Sequence, residues 1–137
     1  MSENSTDYSS FEGGVHRQLG IETVLVSPEK VIMRVEVGPK VHQPYGILHG
    51  GVSALLAEGA ASTGGAVSVG PDQIVVGTEL NCSHLRSMTS GMLTATATPI
   101  RKGRTVQVWA IEMTDERGRT ISVARCSMQV IAVPASA

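Results

Sequence analysis

The sequence predicts an α+β domain, one helix packed on an antiparallel sheet, from three observations. One long proline-free run, residues 50–67 (GGVSALLAEGAASTGGAV), suits a multi-turn helix. Four runs after it, residues 74–85, 91–100, 105–114 and 120–133, have the composition of strands, and Leu93, Ala95 and Ala97 alternate with Thr94, Thr96 and Thr98 at period two. Two shorter runs before it, residues 22–26 and 30–37, are separated by Ser27-Pro28-Glu29, which reads as a tight turn. The predicted order is therefore β-β-α-β-β-β-β, a curved sheet wrapping one helix.

Each element follows from local chemistry. Residues 1–14 are rich in Ser, Glu, Asp and Gly without apolar period and are expected to be a flexible arm, leaving residues 15–137 as one folded domain. Residues 15–20 suit a short helix or turn, and Pro39 and Pro44 bound an irregular loop before the long helix. That helix contains Gly59, Ala60, Ala61, Gly64 and Gly65. Its glycines lower intrinsic helix propensity, so packing against a sheet has to hold it, and small residues allow that sheet to come close. The later strands are separated by polar segments at 86–90, 101–104 and 115–118, as expected of hairpins.

Composition narrows the functions. With 137 residues, 42% apolar and 17% charged, the chain has material for one core. A net charge of −1 supplies no basic field for nucleic acid or an anionic membrane, and 3% aromatic residues are too few for a base-stacking groove. No stretch reaches the ~18 apolar residues of a membrane span. The first ten residues lack the apolar core of a signal peptide, so a cytosolic location is expected. Cys82 and Cys126 are expected to be buried free thiols, and neither cysteine nor histidine spacing suggests a metal. Phosphate-cradling loops and a GxSxG nucleophile elbow are absent.

The chemistry concentrates where His42-Gln43-Pro44-Tyr45-Gly46-Ile47-Leu48-His49-Gly50-Gly51 runs into the helix that carries Glu58. A helix start leaves backbone N–H groups free at the positive end of the dipole, which suits an oxygen acquiring negative charge. Gly50 and Gly51 are the candidate donors, although a Gly-Gly helix start is often only structural. Glu58 lies among Leu55, Leu56, Ala57, Gly59 and Ala60, where a carboxylate is costly without a partner or a task, the alternative being a solvated helix face. Ser62, one turn on, shares its face. Gln43 and His49 precede the helix and suit contacts to a substrate carbonyl, with capping as the alternative for His49. By period two, His84 and Arg86 point together with Leu85 opposed. Arg101, Lys102 and Arg104 form a basic hairpin suited to phosphates or simply to a charged turn.

Helix geometry bears on assembly. Gly50 and Glu58 are eight residues apart, about 12 Å along the axis at ~1.5 Å per residue. One helix cannot place both on one carbonyl, so if both act, each site takes them from different subunits of a twofold dimer.

The segments HQPYGILHGGVSALLAE (42–58) and VGTELNCSHLR (76–86) resemble the hotdog-fold acyl-CoA thioesterases, in the 4-hydroxybenzoyl-CoA thioesterase type with a glutamate on the helix. Weaker similarity extends over nearly everything after Val15. The resemblance implies a central helix wrapped by the sheet, dimers paired into homotetramers, and active sites at the dimer interface. It also implies hydrolysis of acyl-CoA or acyl-carrier-protein thioesters with aromatic or medium-chain acyl groups, with no cofactor beyond the coenzyme A of the substrate. By the same resemblance Glu58 is nucleophile or general base, Gly50 the oxyanion donor, Gln43 and His49 carbonyl contacts, and Ser62 a helper. His84 falls near the acyl or pantetheine end, and Arg86 with the 101–104 hairpin suits the CoA phosphates. The chain departs from the family pattern at Ser87, where relatives often have a proline, and at Leu85, where one branch of the family has the second histidine of a pair, so the close acyl specificity of that branch is not implied. A noncatalytic acyl-CoA-binding module is the main rival, and a dehydratase of the same fold would need an Asp/His pair that is not found.

Overall fold

A computed structural model describes residues 7–134. A short helix, α1 (Val15–Leu19), precedes the hairpin of β1 (Glu22–Ser27) and β2 (Lys30–Val37). The long helix α2 (Gly50–Ala66) follows, and then β3 (Gln73–His84), β4 (Gly91–Lys102), β5 (Val106–Thr114) and β6 (Thr120–Ala132). The strands form one antiparallel sheet in the spatial order β1-β2-β4-β5-β6-β3, which leaves β1 and β3 at its edges. The wrapped-helix α+β arrangement expected from the sequence is present.

Alternation supplies the core. Val31, Met33 and Val35 of β2, Leu93, Ala95 and Ala97 of β4, Trp109, Ile111 and Met113 of β5, and Cys126 and Met128 of β6 are buried on the helix side. Leu56, Ala57, Ala60 and Ala61 of α2 meet them. The glycines of α2 explain how a helix of low propensity is held: a Cβ at Gly64 would run into the Trp109 ring, and one at Gly65 would lie 2.9 Å from Met128 Cε. Absent side chains let the helix sit down on the sheet, and burial of apolar surface then offsets its poor intrinsic stability. Trp109 Nε1–H donates to Gln107 Oε1 at 2.9 Å, so this buried polar pair is internally satisfied.

Several boundaries differ from the sequence expectation. β4 continues to Lys102 across an irregularity between Pro99 and Arg101, so Arg101 and Lys102 are strand residues and the turn is confined to the neighbourhood of Gly103. β3 ends at His84. Cys126 is buried as expected, whereas Cys82 is only half-buried because the edge strand that carries it has no neighbour on one side. Of the expected N-terminal arm, residues 1–6 lie outside the described residues. In the rest, Ser9–Phe11 forms a 3-10 turn and Glu12 Oε1 accepts the Thr23 N–H at 2.8 Å. No helix among the described residues is long and apolar enough to cross a membrane.

Candidate active site

The approach to α2 is fixed by hydrogen bonds. Gln43 N–H donates to Ile47 O and Gly46 N–H to Gln43 O, a turn that requires the left-handed backbone of Gly46 (φ 79°). Leu48 N–H donates to Met88 O at 2.7 Å and His49 N–H to Val41 O at 2.8 Å, while His42 Nε2–H donates to Thr89 O at 2.8 Å. The chain therefore enters the helix in one orientation. His49 is the N-cap: its Nδ1 accepts the Gly51 N–H at 2.8 Å, and its carbonyl accepts the Val52 and Ser53 N–H groups. Gly50 N–H is left without an acceptor among the described residues.

That donor belongs to a pocket of about 360 Å³ lined by Gln43, Gly50, Ser53, His84, Arg86 and Ser122 among others. The His84 ring covers Gly50 closely enough that a Cβ there would lie 2.8 Å from Nε2, and His84 Nδ1 is 3.3 Å from Ser122 Oγ. Gln43 Oε1 accepts the Tyr45 N–H, which leaves the amide NH2 as the group free to donate. Ser53 is 1% exposed, and its hydroxyl has no hydrogen-bond partner among the described residues. A buried unpaired hydroxyl beside a free helix-terminal N–H is a second donor the sequence did not single out.

Glu58 lies in a different pocket, of about 460 Å³, with His16, Gly51, Leu55, Gly59 and Ser62, and the two pockets share no lining residue. No hydrogen bond or ion pair holds its carboxylate among the described residues. Its Oε1 instead rests against Gly77 of β3, where a side chain would collide with it. Its charge is felt beneath the helix: burial, and then Glu58, push the Cys126 thiol up to about 11. The Cys82 thiol is also raised by burial, partly opposed by the Ser122 hydroxyl.

The structure thus divides the predicted residues. Gln43, Gly50, His84 and Arg86 are brought together, and Glu58, Ser62 and Gly51 form a second group. Gly51, expected beside Gly50 as a donor, has its N–H occupied by the His49 cap and faces the Glu58 pocket. His49 caps the helix through Nδ1, which leaves Nε2 uncommitted among the described residues, and lines neither pocket. Leu85 was expected to oppose His84 and Arg86, yet all three line the first pocket, because β3 has ended and both Leu85 and Arg86 N–H point to Ile121 O. Arg101, Lys102 and Arg104 line neither pocket. They lie at the far end of β4 from Gly91, roughly 35 Å along a 12-residue strand. Lys102 Nζ is moreover held by Glu29 Oε1 at 2.8 Å and Pro28 O at 2.9 Å. His16, assigned nothing from sequence, packs its ring on Gly59 and joins the Glu58 pocket, with its Nδ1 buried and without a partner among the described residues. No sequence signal marked it, since α1 and α2 meet only in the fold. Among the described residues no group of three or more His, Cys, Asp or Glu side chains could hold a metal.

Residues 45–122, which span the free donor of Gly50, Glu58 and β3, match the family model of the thioesterase superfamily. The chain belongs to the thioesterase superfamily. The thioesterase is 49% identical over 117 residues to the 1,4-dihydroxy-2-naphthoyl-CoA hydrolase of Listeria monocytogenes, covering 85% of this chain and 95% of that one. It is 37% identical over 119 residues to a proofreading thioesterase of Cronobacter turicensis, covering 87% of each. Its fold superposes on a thioesterase crystal structure from Haemophilus influenzae with a TM-score of 0.86 at 36% identity, covering 90% of this chain and 87% of that chain. The hotdog fold expected from the resemblance is confirmed, and the protein is a thioester hydrolase.

Proposed function

We propose that this thioesterase hydrolyses acyl-CoA thioesters carrying an aromatic or medium-chain acyl group, at sites built from the Gly50 pocket of one subunit and the Glu58 pocket of another. The observation that carries the reading is the division of donors and carboxylate between two pockets without a common residue. They are about 12 Å apart along α2 by the rise of ~1.5 Å per residue. Both pockets border the edge strand β3, through Gly77 at Glu58 and through His84 at Gly50. Antiparallel pairing of two such edges about Asn81, with Thr78 left out of the ladder as it is against β6, sets residue 77 of each chain opposite residue 84 of the other. Each carboxylate is thereby carried toward the other chain's helix terminus. A dimer is the minimum, and pairing of dimers into a tetramer is compatible with it.

In that site Gly50 N–H, with the helix dipole behind it, stabilises the carbonyl oxygen as it becomes an oxyanion, and the Gln43 amide and the Ser53 hydroxyl donate beside it. With Nδ1 of His49 occupied by the cap, its Nε2 carries the proton and is the nitrogen able to donate toward the carbonyl side. Glu58 either adds to the carbonyl carbon itself or takes a proton from the water that does, with Ser62 beside it. In the general-base route the water oxygen bonds to the carbonyl carbon, the tetrahedral oxyanion collapses with loss of the thiolate, and the thiolate takes the proton Glu58 removed from the water. In the nucleophilic route the thiolate leaves first and water then cleaves the acyl–Glu58 anhydride, releasing the acid and supplying the thiol proton. Arg86, exposed at the mouth of the Gly50 pocket, is the phosphate contact on this subunit. The two free thiols agree with a reducing, cytosolic setting.

The test is thiol release from benzoyl-type, phenylacetyl and straight-chain acyl-CoAs by the parent and Glu58→Gln. Turnover by the parent, reduced by about 10³-fold or more in the variant with fold and dimer unchanged, is expected. Equal rates would overturn the carboxylate mechanism. Binding without turnover in both would replace CoA hydrolysis with acyl-CoA sensing or with a carrier-protein substrate.

A further inference from the structure

We infer that a β-bulge at Thr78, with the side-chain-free Gly77 next to it, positions the Glu58 carboxylate and lets the single strand β3 serve both halves of the site. This rests on the proposed role of Glu58. In a regular strand residues 77 and 84, seven apart, face opposite sides of the sheet. Here both face the helix, Gly77 against Glu58 and His84 over Gly50. The ladder to β6 resolves the conflict: Gly77 pairs with Met128 and Glu79 with Ser127, so Thr78 is an extra residue with no partner. Before it Val75 and Gly77 point inward, and after it Leu80, Cys82 and His84 do. Thr78 Oγ–H donates to Ser127 O at 3.1 Å and fastens the extra residue.

Gly77 is required by space, since its φ lies outside the left-handed region and other residues could adopt its backbone. A Cβ there would collide with Glu58 Oε1 and lie 3.2 Å from Cδ. The carboxylate is the free end of a flexible side chain beside an open pocket, so an added methyl moves the carboxylate and leaves the fold intact. Bulge and glycine together form a notch in an edge strand, and Gly77 and Thr78 are positioning residues that act through Glu58.

The experiment measures kcat, KM and Tm for Gly77→Ala and Thr78→Val, each also in the Glu58→Gln background, with an acyl-CoA the parent turns over. Displacing the carboxylate by roughly an ångström is expected to lower kcat about 10²-fold in Gly77→Ala, with KM within about twofold and Tm unchanged. In the Glu58→Gln background Gly77→Ala is expected to add no further loss, because there is no carboxylate left to misplace. Parent-like kcat in Gly77→Ala, or an equal loss in both backgrounds, overturns the inference. Should Gly77→Ala fail to fold, Thr78→Val decides: it removes one exposed hydroxyl, and a severalfold fall in kcat at constant KM supports the positioning role, whereas parent-like kcat refutes it. If Glu58→Gln itself turns over like the parent, the failure belongs to the assignment of Glu58 and not to the notch.

Discussion

The two pockets along α2 are built by opposite means. At the Gly50 end the backbone is tied at Val41, Met88 and Thr89 and capped by His49, so the geometry is imposed by hydrogen bonds that are present. At the Glu58 end no hydrogen bond among the described residues holds the carboxylate, and the close contacts depend on side chains that are missing, at Gly59 beneath the His16 ring and at Gly77 against the Glu58 carboxylate. A donor must be fixed before charge develops, and rigid backbone does that well. A carboxylate that attacks or takes a proton has to reach the substrate, and an open notch leaves it that freedom. One half is therefore sensitive to lost hydrogen bonds and the other to added methyl groups.

The largest expected effect breaks the comparison if the halves belong to one subunit. Gly50→Val, whose side chain would fill the space under His84, and Glu58→Gln are each expected to be nearly inactive as homodimers. Mixed so that subunits exchange, they form heterodimers with one intact site, which should restore about a quarter of parent activity, half the dimers having one of two sites. No recovery after exchange, confirmed by mass spectrometry of the intact dimers, would show that donor and carboxylate do not act across subunits.

A smaller effect sharpens the donor half. Ser53→Ala removes a hydroxyl that has no protein partner to lose, so Tm should hold or rise slightly. Loss of one donor to the developing oxyanion should cost about tenfold or more in kcat/KM. Parent-like kinetics would make Ser53 a packing residue.

The smallest effect probes the carboxylate half through stability. The Cys126 pKa is raised in the folded state from 9.0 to about 11, by burial and by Glu58. The folded state thus holds the thiol proton more tightly than the unfolded chain does. The associated stabilisation is fully present below pH 9 and is lost as pH rises toward 11. In a Cys82→Ser background, Tm should fall more steeply over that interval than in the same protein with Cys126→Ala, and ultraviolet titration of the thiolate should show a lower Cys126 pKa when Glu58→Gln is added. A Cys126 titration unaltered by Glu58→Gln would place the carboxylate away from the thiol.

What could be read from the sequence was what local rules encode. Period two in residues 93–98 located β4, and the run of residues 50–67 located α2 to within a residue at its end. The glycines before Glu58 marked a helix start, and the eight-residue separation of Gly50 and Glu58 set the distance on which the two-subunit proposal rests. The residues that sequence missed are joined to the site by long-range contacts. His16 meets Gly59 across 43 positions and Gly77 meets Glu58 across 19, with no periodic trace of either. The bulge at Thr78 is invisible in a strand whose alternation merely changes phase, and for the same reason the tie of Lys102 to Glu29 in another hairpin could not be foreseen.

By itself, then, the sequence determined the strand and helix inventory and the burial of the long helix against the sheet, and singled out Gly50 and Glu58 as candidates for the chemistry. Those follow from the spacing of apolar, glycine and charged residues along a few turns or pleats. The tertiary structure decided that Gly50 and Gly51 face different pockets, that His49 Nδ1 is occupied as a cap, that the basic hairpin lines neither pocket, and that a glycine on the edge strand lies against the Glu58 carboxylate. These depend on which surfaces meet when the sheet closes over the helix, and close packing settles them at the level of single methyl groups.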